Sequence, residues 1–237
     1  MALVLALTDN GQFEHMLTPQ LNLLLERFGT GSASHSGRTL RKHLIATAQL
    51  LEAWGNTQSV CYAGLFHSIY GTQIYRHIAA SLEYRTEIRA VIGDQAELLA
   101  YLFCTSDRKE LLAVTTQSRA AEDAVVISHR IDRTALLINP STLAGLLEIA
   151  VANEIEQMPF RADLSAPRYR LWRQYGQYCL PFLSSSAQQA LLPLIDAGLS
   201  SQRSASIPVV SAAAHCPLGE QALVDHKLLG RAESLDS

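Results

Sequence analysis

Three histidines between His35 and His67 are the residues whose type and placement could carry chemistry. Neutral imidazole is the commonest side-chain ligand of transition metals and favours Mn, Fe, Co, Ni or Zn over Mg or Ca. An ion held by two or three imidazoles can polarise a phosphoryl or carbonyl oxygen, or supply hydroxide near neutral pH. His35, His43 and His67 are therefore the candidate metal ligands. His43 and His67 could instead be core residues bonded to each other, to Ser68 or to backbone.

The elements that must position them are two helices. From Arg41 to Trp54 the apolar residues Leu44, Ile45, Ala48, Leu50 and Leu51 recur at three- and four-residue steps, which predicts a helix with one buried face and His43 at its start. Gly55 and Asn56 break it. Val60, Ala63, Gly64, Leu65 and Phe66 then form an almost wholly apolar run that closes on His67, the pattern of a central helix. Two antiparallel helices joined by a short turn place the start of the first against the end of the second, so His43 and His67 should meet.

The string AGLFHS, after a helix that begins KHL, resembles the core of the HD superfamily of metal-dependent phosphohydrolases. That pattern is a His on one helix, a His-Asp pair closing a small and apolar helix, and a distant Asp. More narrowly, Ser36-Gly37, five residues, then His43 is similar to the entry segment of guanosine tetraphosphate hydrolase domains, and the segment from Ile92-Gly93 to Leu99 to a later helix of theirs. The resemblance covers roughly residues 20 to 160. Ser68 stands where the superfamily has the Asp of its pair, and Gly71 and Thr72 replace the acidic residues that follow. In place of the distal Asp the resemblance gives Asn153, with Glu154 and Glu156 close by. His35 is an added candidate, and HSIYGT resembles a distinct branch of the fold.

The resemblance implies a mainly α protein, an HD-domain-like helical bundle, with Asn153 or Glu154 as the fourth ligand or a support behind the ligands. Ser68 would hydrogen-bond a metal-bound water, and Tyr70 would orient or protonate the substrate. Arg38 and Arg76 would meet an anionic group, with Thr72 in the same substrate pocket. The leading expectation is hydrolysis of a small phosphate- or nucleotide-like substrate with Mn, Fe or Zn as the ion. Two alternatives follow from the same residues: a ligand-binding or regulatory domain that has lost the metal, since both carboxylate positions are changed, and a mononuclear iron oxygenase. Ser68 beside His67 is not a serine-hydrolase pair, because no GxSxG elbow surrounds it.

Elsewhere the chain reads as a globular domain, with 48% apolar residues and 17% charged. A net charge of −3 with singly scattered Lys and Arg argues against nucleic acid or anionic lipid as partner. Cys61, Cys104, Cys179 and Cys216 show no CxxC spacing, which points to free thiols in a reducing cytoplasm. MALVLALTDN lacks a basic start and reads as no signal peptide, and no run approaches the roughly 20 residues of a membrane span.

In order, residues 12 to 28 predict an amphipathic helix interrupted at Pro19, or a helix starting at Thr18 with Pro19 in its first turn. The loop GTGSASHSG is either a flexible turn or a flap that brings His35 and Arg38 over the site. A helical pair split at Gly93 follows, with His77 a possible pocket residue before it. AVTT and AVVIS predict a small β-hairpin insertion, with ALLI a further short strand. Ser141 or Asn139 caps a helix over about 142 to 157. Residues 167–199 form aromatic-rich helices suited to packing or a homodimer contact, and 200–237 read as a loosely ordered tail, leaving 1–199 as one helical domain.

Overall fold

A computed structural model describes residues 17–35, 37–73, 75–117, 124–160 and 169–205. The MALVLALTDN segment and the tail beyond residue 205, with Cys216, lie outside them. The described chain is mainly helical with a small antiparallel hairpin, as expected.

Helix α1 (Pro19–Arg27) starts where proline is cheapest: Pro19 sits in the first turn, and the Thr18 hydroxyl accepts the Leu21 N–H at 3.3 Å. The glycine- and serine-rich loop after it is ordered into a two-residue ladder. Strand β1 (Ser34–His35) pairs antiparallel with β2 (Arg38–Thr39), Ser34 opposite Thr39 and His35 opposite Arg38, and Gly37 takes the positive φ of the turn at 81°. Thr39 then caps α2 (Leu40–Ala53) by accepting the Lys42 N–H at 3.3 Å.

After Gly55, α3 (Gln58–Phe66) runs back against α2. Closeness here depends on a missing side chain: a Cβ on Gly64 would stand 2.3 Å from Leu51 Cδ1. Small residues let helix backbones approach, and this contact brings the end of α3 onto the first turn of α2. The chain then leaves helix. Gly71 turns at a φ of 74°, and residues 75–78 have no regular structure, so the possible helix carrying His77 does not form and His77 is exposed.

Helices α4 (Arg85–Ile92) and α5 (Asp94–Thr105) are split at Gly93, and Asp107 caps α6 (Arg108–Ala113) with its carboxylate on the Lys109 and Glu110 N–H groups at 2.9 and 3.2 Å. The hairpin expectation needs one correction. AVTT is not a strand: it continues α6 into a 3-10 turn over Val114–Thr116, and AVVIS pairs instead with ALLI, as β3 (Val125–Ser128) and β4 (Ala135–Ile138). The Thr115 and Thr116 hydroxyls donate to the Leu112 and Ala113 carbonyls at 2.6 and 2.8 Å. Those local bonds favour the helical turn over the extended form that β-branched residues otherwise prefer.

Helix α7 (Pro140–Gln157) is the longest fully described element, capped by Asn139, whose side chain accepts the Thr142 N–H at 2.8 Å. It is buried on nearly every side and packs against α2, α3 and α5. Gly145 lets it settle on Leu99 and Val60. Helices α8 (Arg170–Cys179) and α9 (Ser185–Ala205) pack on each other, and α9 extends beyond the expected limit at residue 199. Among the described residues no helix is long and apolar enough to cross a membrane.

Candidate metal centre

His43 projects from the first turn of α2, His67 is the residue that ends α3, and Asn153 and Glu156 lie one turn apart near the end of α7. Two consecutive helices and a third from far along the chain thus deliver their polar residues to one place. His43 Nε2 and His67 Nε2 are 3.1 Å apart, and Asn153 Oδ1 is 3.1 Å from the same His67 nitrogen.

The opposite edge of each ring fixes what these atoms are. His67 Nδ1 lies 2.6 Å from the Gly64 carbonyl, an acceptor only, so the ring proton is on Nδ1 and Nε2 carries a lone pair. Burial, and then the neighbouring His43, push the His67 pKa down to about 3, so the ring is neutral. His43 Nδ1 lies 2.6 Å from Glu156 Oε2, whose other oxygen is ion-paired with the Arg38 guanidinium. Burial raises the Glu156 pKa while Arg38 opposes it. The amide of Asn153 is also oriented: Gln157 Nε2 donates to its Oδ1 at 3.0 Å, and its own Nδ2 faces Glu154 Oε1 at 3.5 Å.

The consequence is a cluster of electron pairs. With His43 Nδ1–H given to Glu156, only a second proton, on Nε2, lets that ring bridge to His67, and His67 Nε2 and Asn153 Oδ1 still face each other as acceptors. A cation shared by these atoms would relieve it. Ligand nitrogens each about 2.1 Å from a shared ion stand about 3.0 Å apart at a right angle and about 3.4 Å apart at a tetrahedral one, a range that contains the observed spacing. The partners behind the rings, a carboxylate on one and a backbone carbonyl on the other, are those that orient metal-ligating histidines. Among the described residues no group of three His, Cys, Asp or Glu side chains could hold a metal ion; the electron pairs that converge here belong to two imidazoles and an amide oxygen. Both rings are fully excluded from solvent, whereas Asn153 is half-buried.

The other expected residues divide. The ladder carries His35 and Arg38 over the site, as the flap reading required, but not into the expected roles. His35 stacks on the face of His43, centroids 4.1 Å apart and planes 7° from parallel. Imidazole lone pairs lie in the ring plane, so an ion in the plane of His43 is displaced from that of His35. As stacked, His35 is a wall of the site and not its third ligand, and the Tyr75 ring also contacts it, centroids 4.7 Å apart. Arg38 serves Glu156. Ser68 is buried where the chain turns after His67, and Thr72 closes a local turn by accepting the Tyr75 N–H at 2.9 Å. Arg76 is exposed.

Tyr70 belongs elsewhere. Its hydroxyl donates to Glu97 Oε1 at 3.1 Å in a separate buried cluster, where Arg85 grips the same carboxylate with two bonds of 2.6 and 2.9 Å and Arg89 adds one at 3.3 Å. Burial and Glu97 push the Tyr70 pKa up, so its proton is bound too firmly for acid catalysis near neutral pH.

Glu97 is the residue that sequence reasoning passed over, and Glu156 was named there only as lying close to Asn153, without a role. A carboxylate three positions after Asn153 lies on the same helical side, which was the available signal for Glu156. Nothing in the spacing marks Glu97.

A family model described as a domain of unknown function (DUF6817) matches residues 24–108. That span holds His35, His43 and His67 and stops short of α7, which brings Asn153 and Glu156. Neither the curated proteins nor the solved structures contain a match to the chain. Over those residues the chain is similar to that domain, and the similarity names no activity.

Proposed function

We propose that this protein is a metal-dependent hydrolase with an HD-like helical arrangement, acting on a small phosphate- or nucleotide-like substrate. His43, His67 and Asn153 hold a Mn, Fe or Zn ion. One observation carries the reading: three electron-pair donors converge within 3.1 Å contacts, each oriented from behind by a hydrogen bond. When bound, such an ion lowers the pKa of water and draws charge from a phosphoryl oxygen. The protein's own part is orientation. Glu156 holds the His43 tautomer and is itself held by Arg38, the Gly64 carbonyl fixes the His67 ring, and Gln157 points the Asn153 oxygen inward. Two imidazoles and a neutral amide suit a borderline transition ion better than Mg or Ca. The described cysteines are buried free thiols, which agrees with a reducing cytoplasmic setting.

The test is phosphate release from a panel of nucleotides and sugar phosphates by the full chain loaded with each ion in turn. The reading expects release that depends on the ion and disappears in His43→Ala and His67→Ala. Turnover that stops under strict anaerobiosis would move the assignment to oxygen chemistry, and no ion-dependent turnover of any phosphate ester would contradict it.

A second reading is favoured by the zero solvent exposure of both rings. In it, the His43–His67 pair is a structural bridge sharing one proton, and the domain binds a ligand without turnover. It expects the chain to take up no ion and the two alanine variants to lose stability alone.

A further inference from the structure

Arg108 opens α6, and its side chain turns inward. Its guanidinium carbon lies 3.8 Å from the centroid of Phe103, the ring whose edge meets His67 at 5.2 Å between centroids. Phe103 therefore touches both the cation and the proposed ligand. Nη1 of Arg108 is buried and makes no hydrogen bond, and among the described residues the guanidinium has no ion pair. Other arginines here are committed: Arg38 to Glu156, Arg85 to Glu97 and Arg133 to Glu110.

The same turn holds a second unsatisfied group. Ser106 is 2% exposed, and its Oγ is buried without a partner. Arg130 adds charge nearby, its Nε donating to the Cys104 carbonyl at 2.7 Å. Burial pulls the Arg108 pKa down to about 10, with the Glu154 carboxylate beside Asn153 the leading influence in the other direction. Buried polar groups in folded proteins are nearly always satisfied, so two orphans within three residues call for a missing acceptor. A phosphoryl group suits both by its chemistry: it accepts from a hydroxyl and matches the planar guanidinium fork.

We propose that Arg108, with Ser106, forms the anion subsite of this centre and receives the phosphoryl group of a phosphate-ester substrate. The proposal rests on the metal-centre reading for its substrate class. It also replaces Arg38, whose fork is occupied by Glu156, as the residue that meets the anion.

The experiment titrates inorganic phosphate into the full-length chain by calorimetry, without metal and with Mn(II), for wild type, R108Q, R108K and S106A, with Mn(II) affinity measured separately. Wild type is expected to bind phosphate. R108Q should bind it at least about tenfold more weakly in both conditions while its Mn(II) affinity stays within about twofold. R108K, which keeps the charge and loses the fork, should fall between and decides the matter if R108Q does not fold. Phosphate bound as tightly by R108Q, or by R108K where R108Q does not fold, as by wild type overturns the subsite, as does a wild type that binds no phosphate in either condition. A wild type that takes up phosphate through Arg108 but no Mn(II) upholds the subsite and removes the metal reading.

Discussion

His43 and His67 meet nitrogen to nitrogen at 3.1 Å, each with its far ring nitrogen already given to an acceptor. This relationship depends on Gly64 twice, once as the residue that lets α3 close on α2 and once as the carbonyl that sets the His67 tautomer.

Gly64→Ala should therefore loosen both. The added methyl would lie 2.3 Å from Leu51 Cδ1 and 3.8 Å from Ala48 Cα, so α3 must shift or Leu51 must change rotamer. Overpacking of this kind costs about 1 to 3 kcal/mol. A lower midpoint in urea unfolding together with weaker ion binding is the expected result, and G64A with L51A should recover part of the ion affinity if the clash is the cause.

Glu156→Gln keeps the size of the side chain and removes its charge. An amide behind His43 is a weaker partner for the ring N–H and removes the negative charge that faces Arg38. Loss of such a supporting carboxylate lowers metal affinity by about 10- to 100-fold. Competition against a chelating dye measures it, and unchanged affinity would remove Glu156 from the account.

The fold was more legible than the site. Apolar spacing alone marks α2 and α3, and the antiparallel turn at Gly55 is enough to bring His43 to His67. Asn153 entered through a resemblance, because no local pattern links a residue on α7 to one on α2. His35 was visible as a histidine, but its stacked orientation depends on a two-residue ladder that a nine-residue Gly and Ser loop does not announce. AVTT misled because threonine hydroxyls can bond back to helical carbonyls, a choice that strand propensity ignores. Tyr70 lies only one turn beyond His67, and sequence distance could not tell that its hydroxyl serves Glu97.

That cluster makes its own prediction. Burial alone would raise the Glu97 carboxyl, but the Arg85 contacts, the Tyr70 hydroxyl and Arg89 outweigh it and leave the pKa below the ordinary range. A carboxylate depressed on folding contributes stability above its unfolded pKa, near 4.5, and loses it as pH falls through the lower folded value. Glu97→Gln should cost about 2 to 3 kcal/mol at pH 7. The gap between variant and wild-type melting temperatures should narrow as the pH is lowered below about 4.5. Tyr70→Phe should cost about 1 kcal/mol at neutral pH and leave ion binding untouched.

The central claim is that the His43–His67–Asn153 cluster is a metal centre. Elemental analysis of the full-length chain, purified without a histidine tag and exposed to Mn(II), Fe(II) or Zn(II), tests it most directly beside His43→Ala and His67→Ala. The account predicts about one ion per wild-type chain and near-complete loss in both variants. A wild-type chain that retains no ion, or variants that retain as much as wild type, would contradict it.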